Sequence, residues 1–246
     1  MARILMPLPD RDFDVTEVAV PWKLATAAGH DVVFATEAGA TPAADPLLLR
    51  GVLFGKLGAY PEPKQFYEEL TRAPAFVQTR PWAALDVAEF DGLILPGGHA
   101  PGMKQYLGSE AVHALIARFW KLDRPVGAIC HGVLALARAT DDTGRSVLRD
   151  RTTTCLPRYM ERSAYLLTFW KLGRYYRTYP AYVEDEVKAA LTDPSAQFVR
   201  GPKVRTARGT ATDDGPAFVV EDGRYVSARW PGDAYKFARA FLARLP

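Results

Sequence analysis

Cysteine is scarce in this chain of 246 residues: there are two, Cys130 and Cys155, and they form neither a Cys-x-x-Cys pair nor part of a cluster at zinc spacing. A disulfide framework and a structural metal are therefore not expected, and free thiols are. Histidine is nearly as sparse, at four residues, and His30, His99, His113 and His131 share no ligand spacing, so no metal is expected. No apolar run is long enough to span a bilayer, and the opening residues lack the n-region and cleavage site of a signal peptide. The expected location is cytoplasmic, away from membranes. An excess of one charge is missing too. Lys and Arg total 31 against 28 Asp and Glu, which leaves no basic block to recruit nucleic acid or an anionic surface. Neither Gly-x-Gly-x-x-Gly nor a P-loop occurs, so no nucleotide cofactor is expected.

What is present is a chain 48% hydrophobic, enough for one globular domain over residues 1–246 with a full core. Ala2–Leu8 reads as a buried strand, Val15–Ala28 as a helix stopped by Gly29, and Asp31–Thr36 as a second strand. Short links between such units point to an α/β fold with a mainly parallel sheet covered by helices. Residues 38–82 break the pattern with prolines, glycines and aromatics. A stretch this long between strands reads as an inserted lid or dimerisation segment. The tail returns to order as a hairpin around Gly223 and an amphipathic helix carrying Phe237 and Phe241.

The chemistry centres on Val126-Gly127-Ala128-Ile129-Cys130-His131-Gly132. A short apolar strand here runs into an alanine- and leucine-rich helix and leaves Cys130 at the turn, the layout of a nucleophile elbow. A thiol at a helix N-terminus has its negative form favoured, which lowers its pKa; the alternative is a buried structural cysteine. One crossover earlier, Leu93–Leu95 ends in Pro96-Gly97-Gly98-His99. Glycines there expose backbone amides at the carboxyl edge of the sheet, beside the expected position of Cys130. Glu17, near the start of the first helix, has two readings: it faces this edge, or it completes a capping box with Asp14.

These motifs resemble the ThiJ/PfpI superfamily, and Pro-Gly-Gly-His with Ile-Cys-His-Gly resembles its heat-shock chaperone and glyoxalase III branch. The resemblance implies a flavodoxin-like three-layer sandwich, often dimeric, so a homodimer is expected. It makes Cys130 the nucleophile, His131 the adjacent acid/base and Glu17 the partner of the sulfur. The amides of Gly98 and His131 would form the oxyanion hole. Glu161 would orient His131 as the third member of a triad; a solvated ion pair with Arg158 or Arg162 is its alternative. Asp141 and Asp142 lie too close to the end of the elbow helix to reach back. In glutamine amidotransferases of the same fold a His-Pro-Glu ends a late strand. Here Arg229-Trp230-Pro231 stands in that place, and no histidine follows His131, which excludes a glutaminase triad.

The activity implied is a glutathione-independent conversion of methylglyoxal to lactate, with a small carbonyl as the substrate partner. A redox-sensing or stress chaperone role is one alternative, and a cysteine hydrolase of small amides, peptides or isonitriles another. The basic and aromatic run Lys171–Tyr179 is read as packing around the pocket rather than as a surface for single-stranded nucleic acid.

Overall fold

The computed structural model of the chain describes residues 1–203 and 207–246. Its centre is a seven-stranded sheet in the spatial order Arg80–Pro81, Asp31–Thr36, Arg3–Pro7, Gly92–Leu95, Val126–Ile129, Tyr225–Ala228, Val219–Asp222. Every neighbouring pair is parallel except the last, an antiparallel hairpin turned at Gly223. The strands of the middle of the sheet are apolar along their length because helices cover both faces. Ile94, Leu95, Ala128 and Ile129 all have at most 1% of their surface exposed.

The helices fall into two groups. On one side Val15–Ala27 packs against Pro61–Leu70 and against the final helix, Ala234–Leu242. On the other Glu110–Trp120 packs against the elbow helix, Gly132–Arg138. Two strand glycines set the depth of the final helix: a Cβ on Gly92 would stand 2.8 Å from Phe241 Cζ, and one on Gly127 2.8 Å from Phe237 Cζ. Omitting those side chains lets the phenylalanines drop against the sheet, where both are fully buried. The result is the expected α/β sandwich of flavodoxin-like architecture, with a mixed rather than wholly parallel sheet.

Residues 151–155 form no strand and contribute only an isolated bridge, Thr153 to Phe198. Residues 158–172 form one continuous helix, Arg158–Leu172. It escaped the periodicity argument because its apolar residues are spread around its circumference, with Leu166, Leu167, Phe169 and Trp170 each about half exposed. Within residues 38–82 there is ordered structure: helices Pro46–Arg50, Pro61–Leu70 and Pro74–Val77, each with proline in its first turn, where the missing N–H costs nothing.

Among the described residues, no helix is long and apolar enough to cross a membrane.

Candidate active site

Cys130 occupies the left-handed region with φ 58°, between the strand Val126–Ile129 and the helix Gly132–Arg138. For a residue with a side chain this costs about 1–3 kcal/mol, and such strain persists only where the surroundings impose it. They do so here. Cys130 N–H donates to Ala228 O at 3.0 Å, tying the turn to the neighbouring strand, and a Cβ on Gly132 would lie 2.0 Å from Leu95 O. The elbow therefore needs glycine at position 132 for the backbone to approach the preceding strand.

The expected closeness of the two strand edges is seen. A Cβ on Gly97 would fall 2.6 Å from His131 N and 2.9 Å from Glu17 Oε2. Glu17 uses that oxygen to accept a hydrogen bond from Gly97 N–H at 2.7 Å. Both readings of its helix start hold in part. Asp14 is the cap, accepting from Thr16 N–H at 2.8 Å and Glu17 N–H at 3.1 Å, but the Glu17 side chain does not return to complete the box. It points into the sheet edge, where Oε1 is buried without a conventional hydrogen-bond partner and the carboxyl interacts with the Cys130 thiol. Gly98 is held against the same segment: a Cβ there would meet Asp12 O at 2.9 Å and Asp14 N at 3.1 Å.

Electrostatics reverse one expectation. A helix of seven residues offers little dipole, and Cys130 is fully buried. Burial first, then the negative potential of Glu17 and Asp14, pushes the thiol well above its ordinary range; the hydrogen bond from His131 N–H opposes this. Cys130 rests as a thiol. Burial and the charge of Asp14 likewise raise the Glu17 carboxyl, and burial pushes Asp14 up to about 6. As Glu17 takes up its proton, its share of the penalty on the thiolate disappears.

The residue missed from sequence is His99. Its Nε2 lies 3.9 Å from Cys130 Sγ, and His131 Nδ1 lies 3.6 Å from the same sulfur. The two rings meet edge to face with centroids 4.7 Å apart. The absence of a shared spacing among the histidines was therefore misleading, because two of them arrive from successive strand ends. The signal was present in Pro-Gly-Gly-His: once the two edges are adjacent, the residue after the glycines projects at the elbow. Burial holds His99 down to about 4 and His131 well below its ordinary value, so both imidazoles rest neutral and burial opposes their protonation.

Glu161 does not orient His131. It is buried at 1% exposure, but its oxygens are taken by Arg177 Nη1 and by Val183 N–H at 3.0 Å. Nor is it a solvated partner of Arg158 or Arg162. It ties the start of the helix Arg158–Leu172 to the loop 177–183, and that loop serves the site: Thr178 Oγ1 donates to His99 O at 2.6 Å. The Tyr176 ring meets His99 edge to face at 5.9 Å, while its hydroxyl donates to Asp45 Oδ2 at 2.9 Å. Asp45 caps the helix Pro46–Arg50, so the run 171–179 links the inserted segment to the sheet edge that carries His99. At the late strand end, Arg229 is buried and forks onto Asp233, Nε to Oδ2 at 2.9 Å and Nη2 to Oδ1 at 3.0 Å. The place of a distant triad histidine is thus filled by a structural ion pair.

Above His99 opens a pocket of about 420 Å³. The inserted segment supplies Leu48, Val52 and Leu57, and the helix Arg158–Leu172 supplies Met160, Ala164 and Leu167. Asp14 lies in its wall together with two cations, Lys203 and Arg208. The arrangement is a buried thiol with two neutral bases, under a mostly apolar cavity.

Comparison with known proteins agrees with this geometry. The model of the family described as ThiJ/PfpI family-like matches residues 8–202. An uncharacterized protein of Schizosaccharomyces pombe is 28% identical over 246 residues, covering 97% of this chain and 82% of its own. A protein named as a deglycase of Pyrococcus abyssi is 26% identical over 243 residues and 99% of both chains. Among solved structures, glyoxalase III of Candida albicans superposes with a TM-score of 0.71 at 18% identity, covering 100% of this chain and 98% of its own, a likeness of fold. With the elbow, the Pro-Gly-Gly edge and a family match across most of its length, the chain belongs to the ThiJ/PfpI superfamily.

Proposed function

We propose that the chain is a cysteine-dependent enzyme that adds Cys130 to the carbonyl carbon of a small organic substrate and releases the product by hydrolysis. The observation that carries this is the convergence of His99 Nε2 and His131 Nδ1 on a strained Cys130, with His99 lining an apolar pocket. In the addition step the S–C bond forms, the C=O π pair moves to oxygen, and the thiol proton passes to one of the two imidazoles. The amides of Gly98 and His131 act as the oxyanion donors, and protonated Glu17 keeps negative charge away from the sulfur.

The pocket favours hydrolysis of a carbonyl adduct or amide over methylglyoxal as the fitted substrate. A cavity of about 420 Å³ is the size that takes a drug-sized ligand, several times larger than a three-carbon dicarbonyl. With an amide, the imidazolium returns its proton to the departing amine and water cleaves the thioester. With an α-oxoaldehyde, the proton on C1 of the hemithioacetal moves to C2 and water then releases a hydroxy acid. The names of the deglycase relatives support a glycation adduct, a carbonyl adduct of an amine, as the substrate class. The inserted residues 46–59 act as the pocket's lid, which the contacts of Leu48, Val52 and Leu57 support.

A panel of amides, glycated amines and methylglyoxal, run on wild type and Cys130→Ala, tests the reading. Turnover of at least one class that vanishes in the variant is expected. No turnover of any, or turnover unchanged in Cys130→Ala, overturns it.

A further inference from the structure

The groups around Cys130 also form a ligand set. Sγ lies 3.9 Å from His99 Nε2 and 3.6 Å from His131 Nδ1, and the three atoms all lie within 4.8 Å of one another. In a tetrahedral zinc site with Zn–S of about 2.3 Å and Zn–N of about 2.0–2.1 Å, a sulfur-to-nitrogen edge is roughly 3.6 Å. One observed edge has that length, and the other, to His99 on the pocket side, is about 0.3 Å longer. Among the described residues no other group of three His, Cys, Asp or Glu side chains gathers in this way.

The donor types agree with the spacing: a thiolate with two imidazoles is a set that zinc accepts.

We propose that His99 Nε2, Cys130 Sγ and His131 Nδ1 bind one zinc ion, leaving a fourth coordination position toward the pocket that His99 lines. Binding breaks the Cys130 S–H bond, forms S–Zn and releases one proton to solvent; no electrons are transferred. Where the function proposed above also holds, the ion masks the nucleophile, so zinc and the carbonyl substrate exclude each other.

The test is optical and needs no turnover, so it stands or falls apart from the enzymatic reading. Chelator-treated protein is titrated with Co²⁺ as a spectroscopic replacement for zinc. The expected result is a one-to-one thiolate-to-cobalt charge-transfer band with strong visible bands, both bleached by one equivalent of Zn²⁺. The charge-transfer band should be absent in Cys130→Ser and retained in Cys155→Ala. His99→Gln should lose more affinity than the roughly 10–100-fold that removing an outer-shell partner costs. Its thermal melt is compared with wild type, and His131→Asn provides the same comparison if His99→Gln does not fold. No charge-transfer band in wild type, its persistence in Cys130→Ser, or wild-type affinity in the folded histidine variants would overturn the proposal.

Discussion

Asp14→Asn should stabilise the protein at alkaline pH and leave it nearly unchanged in acid. Asp14 caps the first helix through Oδ1, and asparagine is as good a cap as aspartate. What the substitution removes is a buried charge. Burial raises this carboxyl from 3.8 to about 6, with Arg208 only partly offsetting the effect. At about 1.36 kcal/mol per unit, that corresponds to about 3 kcal/mol. The sign follows from proton binding. Between the unfolded and folded pKa values the native state holds the extra proton, so stability falls as pH rises from about 4 to about 6 and the full cost remains above that. At pH 8 the variant should gain about 3 kcal/mol, or roughly 6–12 °C in Tm for a chain of this size. At pH 4.5 the gain should be only about 1 kcal/mol by the same linkage. Urea unfolding at both pH values measures it. A loss at pH 8, or an equal gain at both, would show that the cap or its packing, and not the charge, governs this position.

Other substitutions separate the site's parts. Gly132→Ala puts a methyl against Leu95 O and should cost at least the upper end of the ~1–3 kcal/mol typical of overpacking, seen as a lower denaturation midpoint. Glu161→Gln should lower stability by about 1–3 kcal/mol through its loosened hold on Arg177, while the rate of Cys130 alkylation by iodoacetamide changes little. Arg229→Met leaves Asp233 buried without its cation and should cost about 3–5 kcal/mol in urea melts. His99→Ala should speed alkylation of the otherwise fully buried Cys130, since it removes the side chain between the thiol and the pocket; an unchanged rate would show that access lies elsewhere.

The strands and the elbow were legible because local chemistry and tertiary position agree there. An apolar run, a turn glycine at 132 and a helical pattern all specify the same path, and Cys130 does take the left-handed conformation that an elbow requires. Glu17 was harder, since its spacing from Asp14 fits a cap equally well; only the fold shows its carboxylate on Gly97. Glu161 misled because sequence distance from Cys130 carries no direction, and its partners lie 16 and 22 residues farther along the chain. His99 was quoted within a motif yet given no role, because its meaning depends on two strand ends meeting. The thiol's titration was misjudged for a related reason: the helix dipole can be read from sequence, whereas complete burial beside two carboxyls cannot.

The central claim is that Cys130 is the covalent nucleophile beneath this pocket. Intact-mass and peptide mass spectrometry of protein quenched during turnover of a substrate found in the panel tests it most directly. The account predicts an adduct of the substrate's acyl or hemithioacetal mass on the peptide carrying Cys130, lost together with turnover in Cys130→Ala. Full turnover without Cys130, or an adduct confined to Cys155, would contradict it.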